Sequence, residues 1–210
     1  MPGGQTRWGR PAIAATATAS QMTPAGTDAR YRLTVDARPV RDLIAAASPS
    51  RDFTFVGIGG RGGAGKSTLA ALIEDAQIVS TDEFWDGAGF ELSRLRAEVF
   101  ESLLTGREAR YASWDWAARR PGRRRVIEPR GTVVVEGVCA LHRMFRDDYD
   151  VRVWVEAPYE IRLARGVARD GEEARATWVE RWMPSEDRYV AADDPVACAD
   201  LIVDGGTALD

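Results

Sequence analysis

The stretch from Phe53 to Leu69 constrains this chain more than any other. Phe53–Ile58 is an apolar run of strand-forming residues. A glycine-rich turn follows, and Lys66, Ser67, Thr68 and Leu69 then open a helix. Within it Gly60–Ser67 fits the pattern G-x-x-x-x-G-K-[ST], in the strand–turn–helix setting that the pattern requires. Glycines there let successive backbone N–H groups turn inward around an anion, a path that a Cβ would obstruct. The helix start aims further N–H groups at the same place. The stretch therefore predicts a phosphate cradle in an α/β fold, with Gly60, Gly62, Gly63, Ala64, Gly65, Lys66, Ser67 and Thr68 as the contacts of a nucleotide. Lys66 is the charge for the outer phosphates, and Ser67 the hydroxyl for Mg²⁺.

Cation usage points the same way. Of 28 Lys and Arg residues a single one, Lys66, is lysine. A chain that otherwise uses arginine keeps a compact ammonium at the one place where a point charge suits the chemistry better than a planar fork.

The 210 residues suffice for one domain with a sizeable core, and 45% hydrophobic with 29% charged residues is a globular balance. A net charge of −4 gives no global basic field, so neither nucleic acid nor membrane is expected as a partner. Cys139 and Cys198 form no C-x-x-C pair, which excludes the common zinc and redox motifs. No apolar run reaches the roughly 18 residues of a membrane span. Residues 1–29, with an Ala/Thr-rich stretch after Arg7 and Arg10, read as a disordered N-terminal extension rather than a leader. Residues 30–210 read as a single domain, expected in the cytoplasm. Homo-oligomerisation is left open.

Along the chain, Tyr31–Val35 reads as a short strand and Val40–Ala47 as an amphipathic helix. The phosphate-cradle helix is expected from Lys66 to about Asp75, and Gln77–Ser80 is the next strand. Leu92–Leu104 is helical in pattern, with Leu92, Leu95, Val99 and Leu103 on one face. Tyr111–Trp116 and the Arg119–Arg125 run read as loop. Thr132–Val135 is a buried strand ending in Glu136, and a helix is expected over Ala140–Arg146. Val151–Val155 is a strand, Tyr159–Asp170 a helix after Pro158, and Glu172–Tyr189 helical with a break near Pro184. Leu201–Val203 is a last strand. Strands alternating with helices imply a mostly parallel sheet with helices on both faces.

Phosphoryl transfer needs a metal, a base and cations besides the cradle. Glu136, at a strand end, is the carboxylate expected to share the metal with Ser67. Asp82, just past the second strand, is the expected general base for an alcohol, or a metal ligand through water, with Glu83 as the next choice. Arg162, Arg165 and Arg169 share one helix face, and Arg165 and Arg169 are expected to close over the transferring group as part of a lid at about 159–190. Arg175 and Arg181 extend that lid. Phe84, Trp85, Tyr111, Asp115 and Trp116, together with Asp82, suit a substrate that stacks and offers hydroxyls. His142, the only histidine, reads as packed or surface.

At these residues the chain resembles the uridine kinase family of P-loop kinases, the group that includes phosphoribulokinase. Ser80–Trp85 stands where the family has S-x-D-x-F-Y, and Tyr111–Trp116 resembles its Y-D-F/W substrate segment. Val134–Gly137 resembles its strand end in Glu-Gly, Arg162–Asp170 its lid helix, and Ala199–Val203 its last strand. The resemblance implies a P-loop NTPase three-layer sandwich with a mostly parallel five-stranded sheet and a helical lid. It implies transfer of the ATP γ-phosphate, with Mg²⁺, to a hydroxyl of a small-molecule acceptor, most naturally a nucleoside. Gly166 stands in place of the family's second lid arginine, and Ala117–Arg120 lacks the base-reading histidine. A sugar or vitamin-like alcohol is the alternative acceptor, and a nucleotide-binding module without turnover the alternative class. A GTPase is excluded by the lack of an N-K-x-D motif, since no second lysine exists to form one.

Overall fold

A computed structural model describes residues 36–206. The reading of Tyr31–Val35 as a strand, and of residues 1–29 as an extension, lies outside the described residues.

Five parallel strands form the main sheet: β1 (Phe53–Gly60), β2 (Gln77–Ser80), β5 (Gly131–Glu136), β6 (Val151–Glu156) and β7 (Leu201–Asp204), in the order β2-β5-β1-β6-β7. The expected mostly parallel five-stranded sheet is thus present. β1 is central because both of its faces are apolar. Phe53 and Phe55 point to one side, Val56 and Ile58 to the other. On the second side Val56, Ile58, Val134, Val153 and Val155 pack against α1 (Arg38–Ala46) and α2 (Lys66–Ala71). On the first side, α3 (residues 92–104) and the turns of residues 139–149 cover Phe55, Val133, Val135 and Trp154.

The first side is aromatic. Phe100 stacks on Phe145 at 4.7 Å between centroids and meets Phe55 at 4.8 Å. Such rings each contribute roughly 2–3 kcal/mol by burial. A π turn over Arg96–Phe100 makes α3 present both Val99 and Phe100 to this core.

Three expectations are corrected. The helix expected to reach Asp75 stops at Ala71, because exposed Leu72 no longer faces the sheet and Asp75 takes a left-handed conformation that turns the chain into β2. Residues 140–146 form turns, not a helix. Cys139, Ala140, Leu141 and Phe145 are all buried, and that density mimicked a helical stripe. The backbone there is held by Tyr149, which donates to Ala140 O at 2.9 Å, and by Asp193, which accepts from Arg143 N at 3.0 Å. Tyr111–Trp116 and the arginine run are strands, not loop. β3 (Ala109–Asp115) and β4 (Arg120–Ile127) form an antiparallel hairpin with a bulge between Ala112 and Trp114.

After β6, α4 (Tyr159–Asp170) has the bounds its sequence pattern suggests. The helical stretch α5 (residues 175–193) follows a short 3-10 turn. Pro184 does not break it. A π turn over Trp178–Trp182 precedes the proline and absorbs the lost hydrogen bond, and the helix continues as Met183–Asp193. Val167, Ala174, Trp178 and Met183 give α4 and α5 a small core of their own.

Candidate active site

The C-terminal ends of β1, β5 and β2 place the cradle, Glu136 and Asp82 side by side. In register, Glu136 lies beside Ile58 of β1 and Ser80 of β2. The loop between β1 and α2 follows the glycine logic of its sequence. Gly63 and Gly65 adopt φ of 76° and 105°, which side chains with a Cβ resist. Lys66 is buried and donates from Nζ to Arg61 O at 3.0 Å, which folds the ammonium back across the loop. Ser67 and Thr68 are exposed at the helix start, while Ala64 is buried beneath the loop.

Ser67 Oγ donates to Glu136 Oε2 at 3.1 Å. Glu136 is 5% exposed, and burial raises its pKa, more than Lys66 and the hydrogen bonds of Ser80 and Ser67 lower it. The Asp82 carboxylate raises it further. Ser67, Glu136 and Asp82 therefore converge. Asp82 sits in a 3-10 turn (Thr81–Phe84) whose first N–H groups are capped by Ser80, with Asp82 N donating to Ser80 Oγ at 3.3 Å.

The arginines of α4 divide in role. Arg162 is buried against Glu186 at 3.4 Å and donates from Nε to Ala157 O at 3.1 Å. Burial lowers its pKa. Arg165 reaches the loop itself, donating from Nη1 to Gly63 O at 3.3 Å and to Gly205 O at 2.8 Å. Its Nε and Nη2 are buried without a partner, and burial lowers its pKa. Arg169 pairs with Asp170 at 2.8 Å and lies 5.8 Å from the Trp178 ring. The Asp170 hydrogen bond raises its pKa, and Asp82 and Glu186 add to that. Arg175 pairs with nearby Glu172 on the surface. Gly166 is explained by its neighbour, because a Cβ there would fall on the Trp178 indole, leaving no space for the arginine of the related pattern.

The aromatic residues expected at the acceptor are sorted by burial. Phe84 is fully buried, 4.7 Å from Tyr111, beneath the Arg94 guanidinium. Both rings therefore belong to the core and not to an exposed stacking surface. Trp85 is also buried, between Phe90 at 5.3 Å and Trp116 at 5.4 Å, and Trp116 is 39% exposed. Asp115 is exposed, and its Oδ1 accepts from Ala117 N at 3.0 Å and Ala118 N at 2.9 Å, so it caps the β3–β4 turn.

Sequence reading missed the part of Arg125, Glu186 and Asp187, and gave Glu83 a different one, the second choice of base. Glu83 accepts from Tyr111 Oη and from Arg125 Nη1, each at 2.5 Å, and so joins the turn carrying Asp82 to the hairpin. Burial, with the Glu83 charge, pushes the Tyr111 hydroxyl well above its ordinary pKa. Arg125 belonged to a run read as solvated; the strand alternation that turns it inward was the available signal. Glu186 and Asp187, on α5, both touch the phosphate loop: Gly62 N donates to Glu186 Oε1 at 3.0 Å, and Arg61 Nε to Asp187 Oδ1 at 3.0 Å. No motif announces them. His142 is packed as expected, parallel to the Tyr189 ring at 6.2 Å.

The chain is 28% identical to the uridine kinase of Halobacterium salinarum over 139 residues, 55% of this chain and 61% of that protein. It is 28% identical to the uridine kinase of Clostridium perfringens over 147 residues, 59% of this chain and 71% of that one. A candidate uridine kinase from Bacillus stearothermophilus superposes with a TM-score of 0.58 over 78% of this chain and 98% of that chain, at 16% identity. That likeness carries the fold. The chain is thus similar in sequence to uridine kinases over somewhat more than half of its length. The match takes in less than two thirds of the Halobacterium protein's length. No family profile matches the chain. Among the described residues, no helix is long and apolar enough to cross a membrane.

Proposed function

We propose that this chain is a kinase that transfers the γ-phosphate of ATP to a hydroxyl of a small molecule, with a nucleoside of the uridine or cytidine kind as the first choice of acceptor. The observation that carries the reading is the contact of Ser67 with Glu136, beside Asp82 and at the mouth of the loop. The glycine loop and Lys66 suit a triphosphate. Ser67 and Glu136 fit Mg²⁺, a hard cation that takes one or two carboxylates and completes its shell with water and substrate phosphates. When bound, Mg²⁺ would neutralise charge on the phosphates.

In this reading, Asp82 accepts the acceptor's hydroxyl proton as the new P–O bond forms. Lys66 and Arg169 face the charge that develops on the transferring group, and Arg165 holds the loop through Gly63 O. α4 and α5, over about 159–190, serve as a lid that excludes water. Trp116, backed by buried Trp85, offers the open aromatic surface for the acceptor, with Tyr111 and Phe84 bracing it from the core. The site is read as that of a cytoplasmic protein with no nucleic-acid or membrane partner.

A non-nucleoside alcohol is a second reading, favoured by one observation. The Asp115 carboxylate is engaged by its own turn, so it is not fully available to grip ribose hydroxyls.

An ADP-release screen over nucleosides, sugars and vitamin precursors with MgATP tests these readings. Turnover with uridine or cytidine supports the first, turnover only with another alcohol supports the second, and no turnover with any acceptor refutes the kinase.

A further inference from the structure

Glu186 has no part in the chemistry described above, yet it is one of the few charged residues buried in the molecule, at 6% exposure. Its Oε1 accepts the Gly62 N–H at 3.0 Å, and its Oε2 lies 3.4 Å from Arg162 Nη1. The charges of Lys66, Arg162 and Arg61 all favour its carboxylate form, against the cost of burial. The next residue, Asp187, takes Arg61 Nε at 3.0 Å. Two successive carboxylates of α5 thus hold two successive residues of the phosphate loop.

The groups around Glu186 are those that a phosphoryl group uses: a donating backbone N–H of the loop, a guanidinium, and the nearby charge of the loop ammonium. The space is also taken. A Cβ on Gly62 would come within 2.6 Å of Glu186 Oε1 and 2.9 Å of the Trp178 ring. We infer that Glu186 is an internal occupant of the outer end of the phosphate loop, which the terminal phosphate of the donor displaces, so that filling the loop releases α5 from it. The inference rests on the reading of the loop as a nucleoside triphosphate site.

Displacement follows from charge. Two anions cannot share the Gly62 N–H in a buried setting without strong repulsion. The incoming phosphate brings more charge and more acceptor atoms than the carboxylate it replaces. Release of Glu186 also loosens the Arg162 pair, which lies on α4, so both helices of the proposed lid respond to the same event. A carboxylate that merely buttressed the loop would instead be needed for triphosphate binding.

The test is the affinity of wild type, Glu186→Gln and Glu186→Asp for MgATP, inorganic tripolyphosphate and adenosine, by titration calorimetry. Glutamine keeps the shape and removes the charge. It should tighten MgATP and tripolyphosphate by about 10-fold, the scale of relieving one close like-charge contact. Adenosine, which carries no phosphate, should change less than about twofold, within the scatter of an uncoupled site. Aspartate keeps the charge but draws its oxygens back from Gly62, and should tighten both in the same direction by less. If the Gln variant does not fold, the Asp variant decides by the same measurement. Unchanged or weaker triphosphate binding in a folded variant, with wild type binding MgATP, overturns the inference alone. Absence of MgATP and tripolyphosphate binding in wild type and variants alike overturns the nucleotide reading, and the inference with it.

Discussion

The Ser67 hydroxyl donates to the Glu136 carboxylate at 3.1 Å, and this contact ties the first turn of α2 to the last residue of β5. The two residues are 69 positions apart. They meet because β5 lies beside β1, so that the strand leading into the loop and the strand carrying Glu136 end at the same level. A buried carboxylate whose pKa is raised by burial and by Asp82 marks a place where positive charge is wanted.

Lys66→Ala should weaken MgATP binding and reduce kcat/KM by at least about 10²-fold, since the ammonium is the charge read as serving the outer phosphates. Calorimetry and ADP release measure the two effects. Unchanged turnover would remove the phosphate-loop assignment.

Asp82→Asn should leave MgATP affinity within about twofold while kcat falls by roughly 10²-fold or more, the usual loss of a general base. A large loss of affinity with normal kcat would place Asp82 in nucleotide binding instead. The variant should fold normally, because the 3-10 turn is capped through Ser80 Oγ and the backbone N–H of residue 82.

Gly166→Ala should destabilise the protein by roughly 1–3 kcal/mol, the cost of forcing extra volume into a packed contact. The added Cβ would meet the Trp178 indole, which is fully buried between α4 and α5. Urea unfolding followed by tryptophan fluorescence measures it. A variant as stable as wild type would show that α4 and α5 are not packed as described. Gly166→Ala with Trp178→Phe should recover part of the loss.

Burial holds the pKa of His142 below 6.5, against the upward pull of Asp193. A base with a lowered folded-state pKa binds fewer protons folded than unfolded. Stability is therefore full above pH 6.5 and declines as pH falls below it, at up to about 1.4 kcal/mol per pH unit while the two states differ by one proton. His142→Asn should flatten that part of the profile. Urea midpoints between about pH 5 and 7.5 check it. An equal slope in the variant would assign the acid sensitivity to other groups.

Much of the fold was legible because local pattern and context agreed. The strand–glycine–helix run, the apolar strands ending in Glu136 and at Ser80, and the amphipathic α4 all follow from spacing of two or about 3.6 residues. The misreadings share a cause. Residues 140–146 bury Ala140, Leu141 and Phe145 but expose Arg143 and Met144, and a chain of turns can set out apolar residues at helix-like intervals. Arg123–Arg125 looked solvated because a run of charges usually is, yet strand alternation turns Arg125 inward onto Glu83 while its neighbours face solvent. Phe84 and Tyr111 looked like an exposed stacking pair because their loop context was misjudged.

What the sequence by itself determined is the strand, glycine turn and helix start at the end of β1. Only glycines can follow that path, and only one lysine exists to serve it. The order of strand ends and the carboxylates at Asp82 and Glu136 were likewise readable, since each follows its own strand. The tertiary structure alone decided which distant residues reach the loop. Glu186 and Asp187 lie more than 120 positions beyond the loop residues they touch, on a helix whose pattern says only that one face is buried. Local spacing fixes a residue's face, but which partner that face meets depends on how the elements pack.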